Sequence, residues 1–237
     1  MVDVHTGGSP LDEAADTLNG LIGETQGKDV LLLFSGGSAM ALVDRLHPDH
    51  IDLHHTLSVL DERYTSDESA SNFTTLTRTS FFKEANNRNV LSIDPRPQDM
   101  ETLQDTAKRF DLALKHWHIT HQDGVVIATM GIGEDGHTSG VLPMPEDEES
   151  FDGLFLNTSK CAVGYRTTPQ KNPYTDRITT TLTYLVRHVD HAIVYATGTQ
   201  KREALRQMQE EDAGLAKIPA RILNRMKDVR LFTDVKF

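Results

Sequence analysis

Short, unbroken apolar runs alternate along this chain with segments of helical period. Val30–Phe34 (VLLLF) and Val125–Met130 (VVIATM) are apolar at almost every position, the pattern of strands covered on both faces. Leu57–Leu60, Val90–Ile93, Cys161–Tyr165, Ala192–Thr197 and Val229–Phe232 read as further extended segments. A helix opens at Ser9-Pro10-Leu11-Asp12, with Ser at the N-cap, Pro at the first helical position and an acid in the first turn, and runs to about Gly23. Helices are also expected over Ala39–Leu46, Ser69–Ala85, Pro97–His118, Ile178–Arg187 and Gln200–Gln209. In the third of these, Phe110, Leu114 and Trp117 make a core stripe. Strands alternating with helices imply an α/β fold, a doubly wound and mostly parallel sheet with helices on both faces, in one domain spanning residues 1–237. Ligands of such sheets bind beyond the carboxyl ends of the strands. The loops after Phe34, Leu60 and Met130 are therefore the places to look for chemistry.

Composition narrows the classes. The 237 residues carry 24 Lys and Arg against 35 Asp and Glu, a formal net charge of −11. So acidic a chain has no basic face with which to neutralise phosphates along a nucleic acid, and no nucleic-acid partner is expected. No apolar run reaches the ~18–20 residues of a membrane span, and the N-terminus lacks a basic region followed by an apolar one, so neither a membrane nor a secretory route is expected. The one cysteine, Cys161, allows no internal disulfide and reads as a small buried residue; a reducing, cytoplasmic setting is expected. The acidic run Glu146–Glu149 reads as a solvated loop.

The three loops each carry candidates. After Phe34 comes Ser35-Gly36-Gly37-Ser38. Two glycines let backbone approach an anion, the following helix would present unpaired N–H groups, and the serines add hydroxyls; an ordinary tight turn is the competing reading. After Met130, Gly131, Gly133 and Gly136 fit the spacing of a dinucleotide fingerprint. Glu134 and Asp135 would then sit where a pyrophosphate belongs, so the glycines are better read as shaping a turn that exposes Asp135 and His137. A histidine beside a carboxylate suits a general base. Asp61-Glu62-Arg63 ends the second strand, where Arg63 is either a donor to an anion or a surface charge. Arg177 and Lys201 are further candidate cations. His118/His121 and His188/His191 have helical spacing, yet no cysteine or well-placed acid completes a ligand set, so no metal is expected.

In order along the chain, SGGS at Ser35–Ser38, DER at Asp61–Arg63, Ser71-Asn72, GIGEDGHT at Gly131–Thr138 leading to Leu142-Pro143, RIT at Arg177–Thr179, GTQK ending at Lys201, and IPARIL at Ile218–Leu223 together resemble the glucosamine-6-phosphate isomerase/6-phosphogluconolactonase family. The resemblance implies a modified Rossmann-like fold, a sugar 6-phosphate ligand and no cofactor, in a monomer or homodimer. It implies catalytic roles for His137, Asp135, Arg63 and Asp61, and substrate contacts from Ser35, Gly36, Gly37, Ser38, Arg177 and Lys201. Amino-sugar isomerases of the family typically carry an acid where this chain has Leu142, and DEY where it has Asp61-Glu62-Arg63. Both differences point to the lactonase branch, whose reaction belongs to the pentose phosphate pathway, with the isomerase/deaminase and a non-catalytic sugar-phosphate regulator as alternatives. The family's common SGGSTP is here Ser38-Ala39-Met40, which implies one hydroxyl fewer near the phosphate.

Overall fold

The apolar runs assemble into one parallel sheet. A computed structural model describes residues 2–210 and 214–237. Its main sheet contains β1 (Asp3–Thr6), β2 (Val30–Phe34), β3 (His55–Val59), β5 (Leu91–Ser92), β6 (Val125–Met130), β9 (His191–Tyr195) and β10 (Asp228–Thr233), in the order β1-β10-β9-β6-β2-β3-β5. Every pairing in it is parallel. The side chains of β2 divide by parity. Leu31 and Leu33 join a core with Phe110, Leu114 and Trp117, while Val30, Leu32 and Phe34 join one with Leu18, Ile22 and Phe81. The sheet is thus covered on both faces, as its near-continuous apolar strands require.

The helices are α1 (Pro10–Glu24), α2 (Asn72–Arg78), α3 (Ser80–Asn87), α4 (Leu103–Thr120), α5 (Glu148–Phe155), α6 (Leu182–His188) and α7 (Arg202–Gln209). Several depart from the pattern reading, each for a local reason. Ser9 makes no capping bond to the α1 backbone and donates instead to Asp12 Oδ2 at 2.5 Å. The helix expected over Ala39–Leu46 is a 3₁₀ helix, Gly37–Arg45. Its buried residues fall in the pairs Ala39/Leu42 and Met40/Val43, the period of three at which 3₁₀ side chains line up. The single helix expected over Ser69–Ala85 breaks at Thr79, which closes α2 and caps α3 through Phe82 N. The long helix begins at Leu103 rather than near Pro97, because Thr102 and Asp105 form a reciprocal capping box. Glu148 and Glu149 belong to α5, capped by Asp147, rather than to a solvated loop. The Ile178–Arg187 segment is half strand: Thr-rich 178–180 is extended, and the helix starts only after Thr181 caps it.

A small antiparallel sheet of β4 (Asp61–Arg63), β8 (Asp176–Thr180) and β7 (Ala162–Arg166), in the order β4-β8-β7, branches from the main one. Leu60 is the joint. Its N–H donates to Phe34 O at 3.0 Å in the main sheet, and its carbonyl accepts from Thr180 N at 2.9 Å in the branch. Strand β3 therefore hands Asp61 and Arg63 straight to the second sheet, where Arg63 lies opposite Arg177.

At the amino ends of the strands, burial and the neighbouring His188 hold His118 down to about 4, opposed by Asp190 and reinforced by Lys227. Burial and the charges of Lys227 and Arg187 lower His188 as well, against Asp190. The two rings lie 4.3 Å apart, and His118 Nε2 meets Tyr184 Oη at 3.2 Å. Both imidazoles bind protons more readily in the unfolded chain. Their contribution to stability is complete above the unfolded value near 6.5 and fades as pH falls from there towards about 4. Thermal melts should show a loss on the order of 1 kcal/mol across that window, after discounting for solvent screening. His118→Gln should flatten the slope, and an unchanged slope in that variant would assign it to other groups.

Candidate active site

The order of strands reverses beside β2: β3 and β5 follow on one side, and β6, β9 and β10 on the other. The carboxyl ends of β2 and β6 therefore flank the switch point, where a ligand crevice is expected. A cavity of about 250 Å³ opens there. Ser35, Gly36, Gly37, Ser38, Asp61, Arg63, His137, Arg177 and Lys201 all line it. Of the residues singled out in the sequence, Asp135 stands outside the lining and reaches it through His137.

The first loop is held from below. Ser35 is buried and its N–H donates to Thr129 Oγ1 at 3.2 Å. Gly37 has φ +63°, the left-handed conformation that glycine adopts without strain. A side chain on Gly36 would overlap the Asn72 amide. That amide also donates to Asp61 O at 2.9 Å, so it joins two loops of the cavity. Gly37 and Ser38 are exposed. Ala39, by contrast, is wholly buried and does not line the cavity.

The second loop pairs a histidine with a carboxylate. His137 Nδ1 lies 2.6 Å from Asp135 Oδ1, and the same oxygen accepts His137 N at 3.1 Å. Burial works against the charge of Asp135, yet the hydrogen bond and charge of His137 still hold its carboxyl below the ordinary value. With Nδ1 tied to a carboxylate, Nε2 is the nitrogen left for proton transfer. The turn beneath is tight: Gly133 N donates to His137 O at 2.8 Å, and Gly136 N to Gly133 O at 3.0 Å. A side chain on Gly133 would collide with the His137 ring and the Asp135 carboxylate. The glycines of the apparent dinucleotide fingerprint thus serve the histidine. Downstream, Gly140 sits at φ +70° against Asp61, and its carbonyl accepts from Tyr165 Oη at 2.6 Å.

The third element supplies charge. Arg177 is 3% exposed; its Nη2 donates to Asp61 Oδ2 at 2.9 Å and its Nε to Gly140 O at 3.2 Å. Asp61 and Arg177 therefore form a buried pair. Glu62 is fully buried but points away from this pair. It accepts Arg63 N, Ser71 Oγ, Asn72 N and Phe73 N at 2.7–2.9 Å, locking the start of α2 to β4. Burial raises its pKa in spite of these donors. Arg63 and Lys201 make no ion pair among the described residues. Three cations and one carboxylate thus line a cavity in a chain whose overall charge is −11, a local field suited to an anion.

Sequence reasoning missed the clamp role of Glu62 and the lining role of Gly140. A buried acid among donors from a helix start leaves little trace in sequence, whereas Asn72 was visible as part of a motif. Cys161 is buried, and burial pushes its thiol up to about 11, which removes it as a nucleophile. The pairs His118/His121 and His188/His191 do not lie within single helices as their spacing implied, since His121 follows the end of α4 and His191 opens β9. No group of three or more potential metal ligands occurs among the described residues, and no helix described is long and apolar enough to cross a membrane.

Comparisons with known proteins bear on the family and the fold. The model of the family described as glucosamine-6-phosphate isomerases/6-phosphogluconolactonase matches residues 11–232. A 6-phosphogluconolactonase of Neisseria meningitidis serogroup A is 29% identical over 195 residues, covering 81% of this chain and 78% of that one. A crystal structure of a 6-phosphogluconolactonase from Shewanella baltica superposes with a TM-score of 0.75 at 21% identity, over 98% of this chain and 96% of that one. A monomeric glucosamine-6-phosphate deaminase also superposes, at a TM-score of 0.68 and 18% identity, over 98% and 97% of the two chains. The fold is thus shared by both chemistries, and the side chains of the site must separate them.

Proposed function

Since the chain belongs to the glucosamine-6-phosphate isomerase/6-phosphogluconolactonase family, we propose that it hydrolyses 6-phospho-D-glucono-1,5-lactone to 6-phosphogluconate, a step of the pentose phosphate pathway. The observation that carries this reading is the His137–Asp135 contact on a cavity where Arg63 and Lys201 have no acidic partner among the described residues. Relatives named 6-phosphogluconolactonase support it. So does Leu142, which is buried and apolar where the isomerases typically carry an acid.

In this reading the phosphate rests on the Gly36–Ser38 backbone with Lys201 as its cation, and the lactone carbonyl faces Arg63. His137 Nε2 takes a proton from water as its oxygen bonds to C1. The resulting oxyanion is met by Arg63, in a role where one donor is typically worth about 3–4 kcal/mol. Collapse breaks the bond from C1 to the ring oxygen, which takes the proton back from His137 and leaves as the C5 hydroxyl. The new carboxylic acid ionises and releases one proton to solvent. Asp61 and Arg177 hold each other and the Gly140 turn, so their part is to shape the cavity.

Two assays run side by side test the assignment: appearance of 6-phosphogluconate from fresh lactone above the spontaneous rate, and release of ammonia from glucosamine 6-phosphate. The first is expected alone. Ammonia release without lactone hydrolysis would reassign the chain to the isomerase branch, and binding of both sugars with no turnover would make it a regulator.

A further inference from the structure

Arg63 and Arg177 stand directly opposite each other on β4 and β8, an arrangement that repels unless both charges are met. Asp61 meets Arg177. Among the described residues nothing acidic meets the Arg63 guanidinium. Instead it lies over the ring of Tyr174, 5.1 Å from the centroid, and its Nη1 donates to Ala70 O at 2.6 Å. Its Nε is buried with no hydrogen-bond partner among the described residues. That donor is enclosed by protein, so what Arg63, a lining residue of the cavity, can offer a ligand is the outer part of its guanidinium, whose Nη2 makes no hydrogen bond among the described residues.

Tyr174 does not line the cavity itself. It sits in the β7–β8 connection, where Asn172 Oδ1 accepts Tyr174 N at 3.0 Å and Arg177 Nη1 at 3.4 Å. One asparagine thus ties the ring's position to the buried ion pair. The ring's electron-rich face covers one side of the guanidinium plane while the Ala70 carbonyl fixes one of its arms. Together these contacts restrict the orientation of the fork and leave Nη2 for the ligand.

We propose that Tyr174 is a positioning residue: its ring holds Arg63 in the orientation that meets the oxyanion. The inference rests on the lactonase reading of the site. In the product, the carboxylate takes the place of the lactone carbonyl, so product affinity reports the placement of Arg63 even without turnover.

The experiment is a double-mutant cycle over wild type, Tyr174→Ala, Arg63→Met and the double variant, with Tyr174→Phe added. Turnover of fresh lactone and the Kd of 6-phosphogluconate are measured on each protein. Tyr174→Ala should lower kcat roughly five- to tenfold and weaken product binding comparably, with KM moving less than kcat. Tyr174→Phe keeps the ring face and should restore both. In the Arg63→Met background, Tyr174→Ala should cost nothing further. Equal costs in both backgrounds, or failure of the Phe variant to rescue, would overturn the role of Tyr174. A wild type that binds product without hydrolysing lactone overturns the lactonase reading and leaves the Tyr174 cycle to be read from Kd. A wild type that neither binds nor hydrolyses overturns both.

Discussion

His137→Ala lowers the rate of lactone hydrolysis by a factor of about 10²–10⁴ and leaves the affinity for 6-phosphogluconate largely intact. The factor is the usual worth of a positioned general acid–base group. The asymmetry between rate and binding follows from the geometry. Phosphate contacts are assigned to the Gly36–Ser38 loop and Lys201, in the segments that follow β2 and β9, whereas His137 comes from the loop after β6. Fold is not at stake, because His137 is partly exposed and, among the described residues, its side chain bonds only to Asp135. Steady-state kinetics together with product titration check both halves. A parallel loss of rate and product affinity would mean that the histidine binds rather than transfers protons.

Arg177→Met destabilises the protein by about 3–5 kcal/mol, because it leaves the Asp61 carboxylate buried without its partner. Side chains in this pair are 4% and 7% exposed, so little solvent is at hand to take over. The same guanidinium holds the Gly140 carbonyl, and Gly140 packs against Asp61 at a backbone angle only glycine tolerates well. The loss should therefore spread to the turn that carries His137. Denaturant unfolding measures the stability. Restoring charge balance with Asp61→Asn in the same chain should recover part of it, since an uncharged amide costs less to bury than an unpaired carboxylate. A destabilisation under 1 kcal/mol in the single variant would show that the pair is hydrated and contributes little.

How much of this was legible in the sequence depends on the range of the forces involved. Strands β2 and β6 were readable to the residue because burial on both faces makes them apolar at almost every position. The site's residues were readable as motifs because glycine at positions 133 and 136 answers to geometry that other residues meet poorly. Pattern did not give the branch at Leu60, since one residue serving two sheets through its N–H and its carbonyl leaves no periodicity to see. The small antiparallel sheet was hidden for the same reason, and with it the pairing of Arg177 to Asp61 across 116 positions of sequence. In the linear reading Arg177 was one of several free cations; the fold makes it half of a structural pair and leaves Arg63 and Lys201 as the charges open to a ligand. The hydroxyl implied to be missing at Ala39 also changes meaning, since that position is enclosed in the core and outside the cavity lining.

The central claim is that His137 directs water onto the lactone carbonyl. Opening of freshly prepared 6-phosphogluconolactone in H₂¹⁸O tests it most directly, with wild type and His137→Ala compared against the spontaneous reaction under a chelator. The account predicts wild-type opening far above background, the label in the new carboxylate and none in the C5 hydroxyl, and a variant reduced by about 10²–10⁴. Wild-type opening no faster than background, label at the C5 hydroxyl, or a variant that keeps near-normal rates would contradict it.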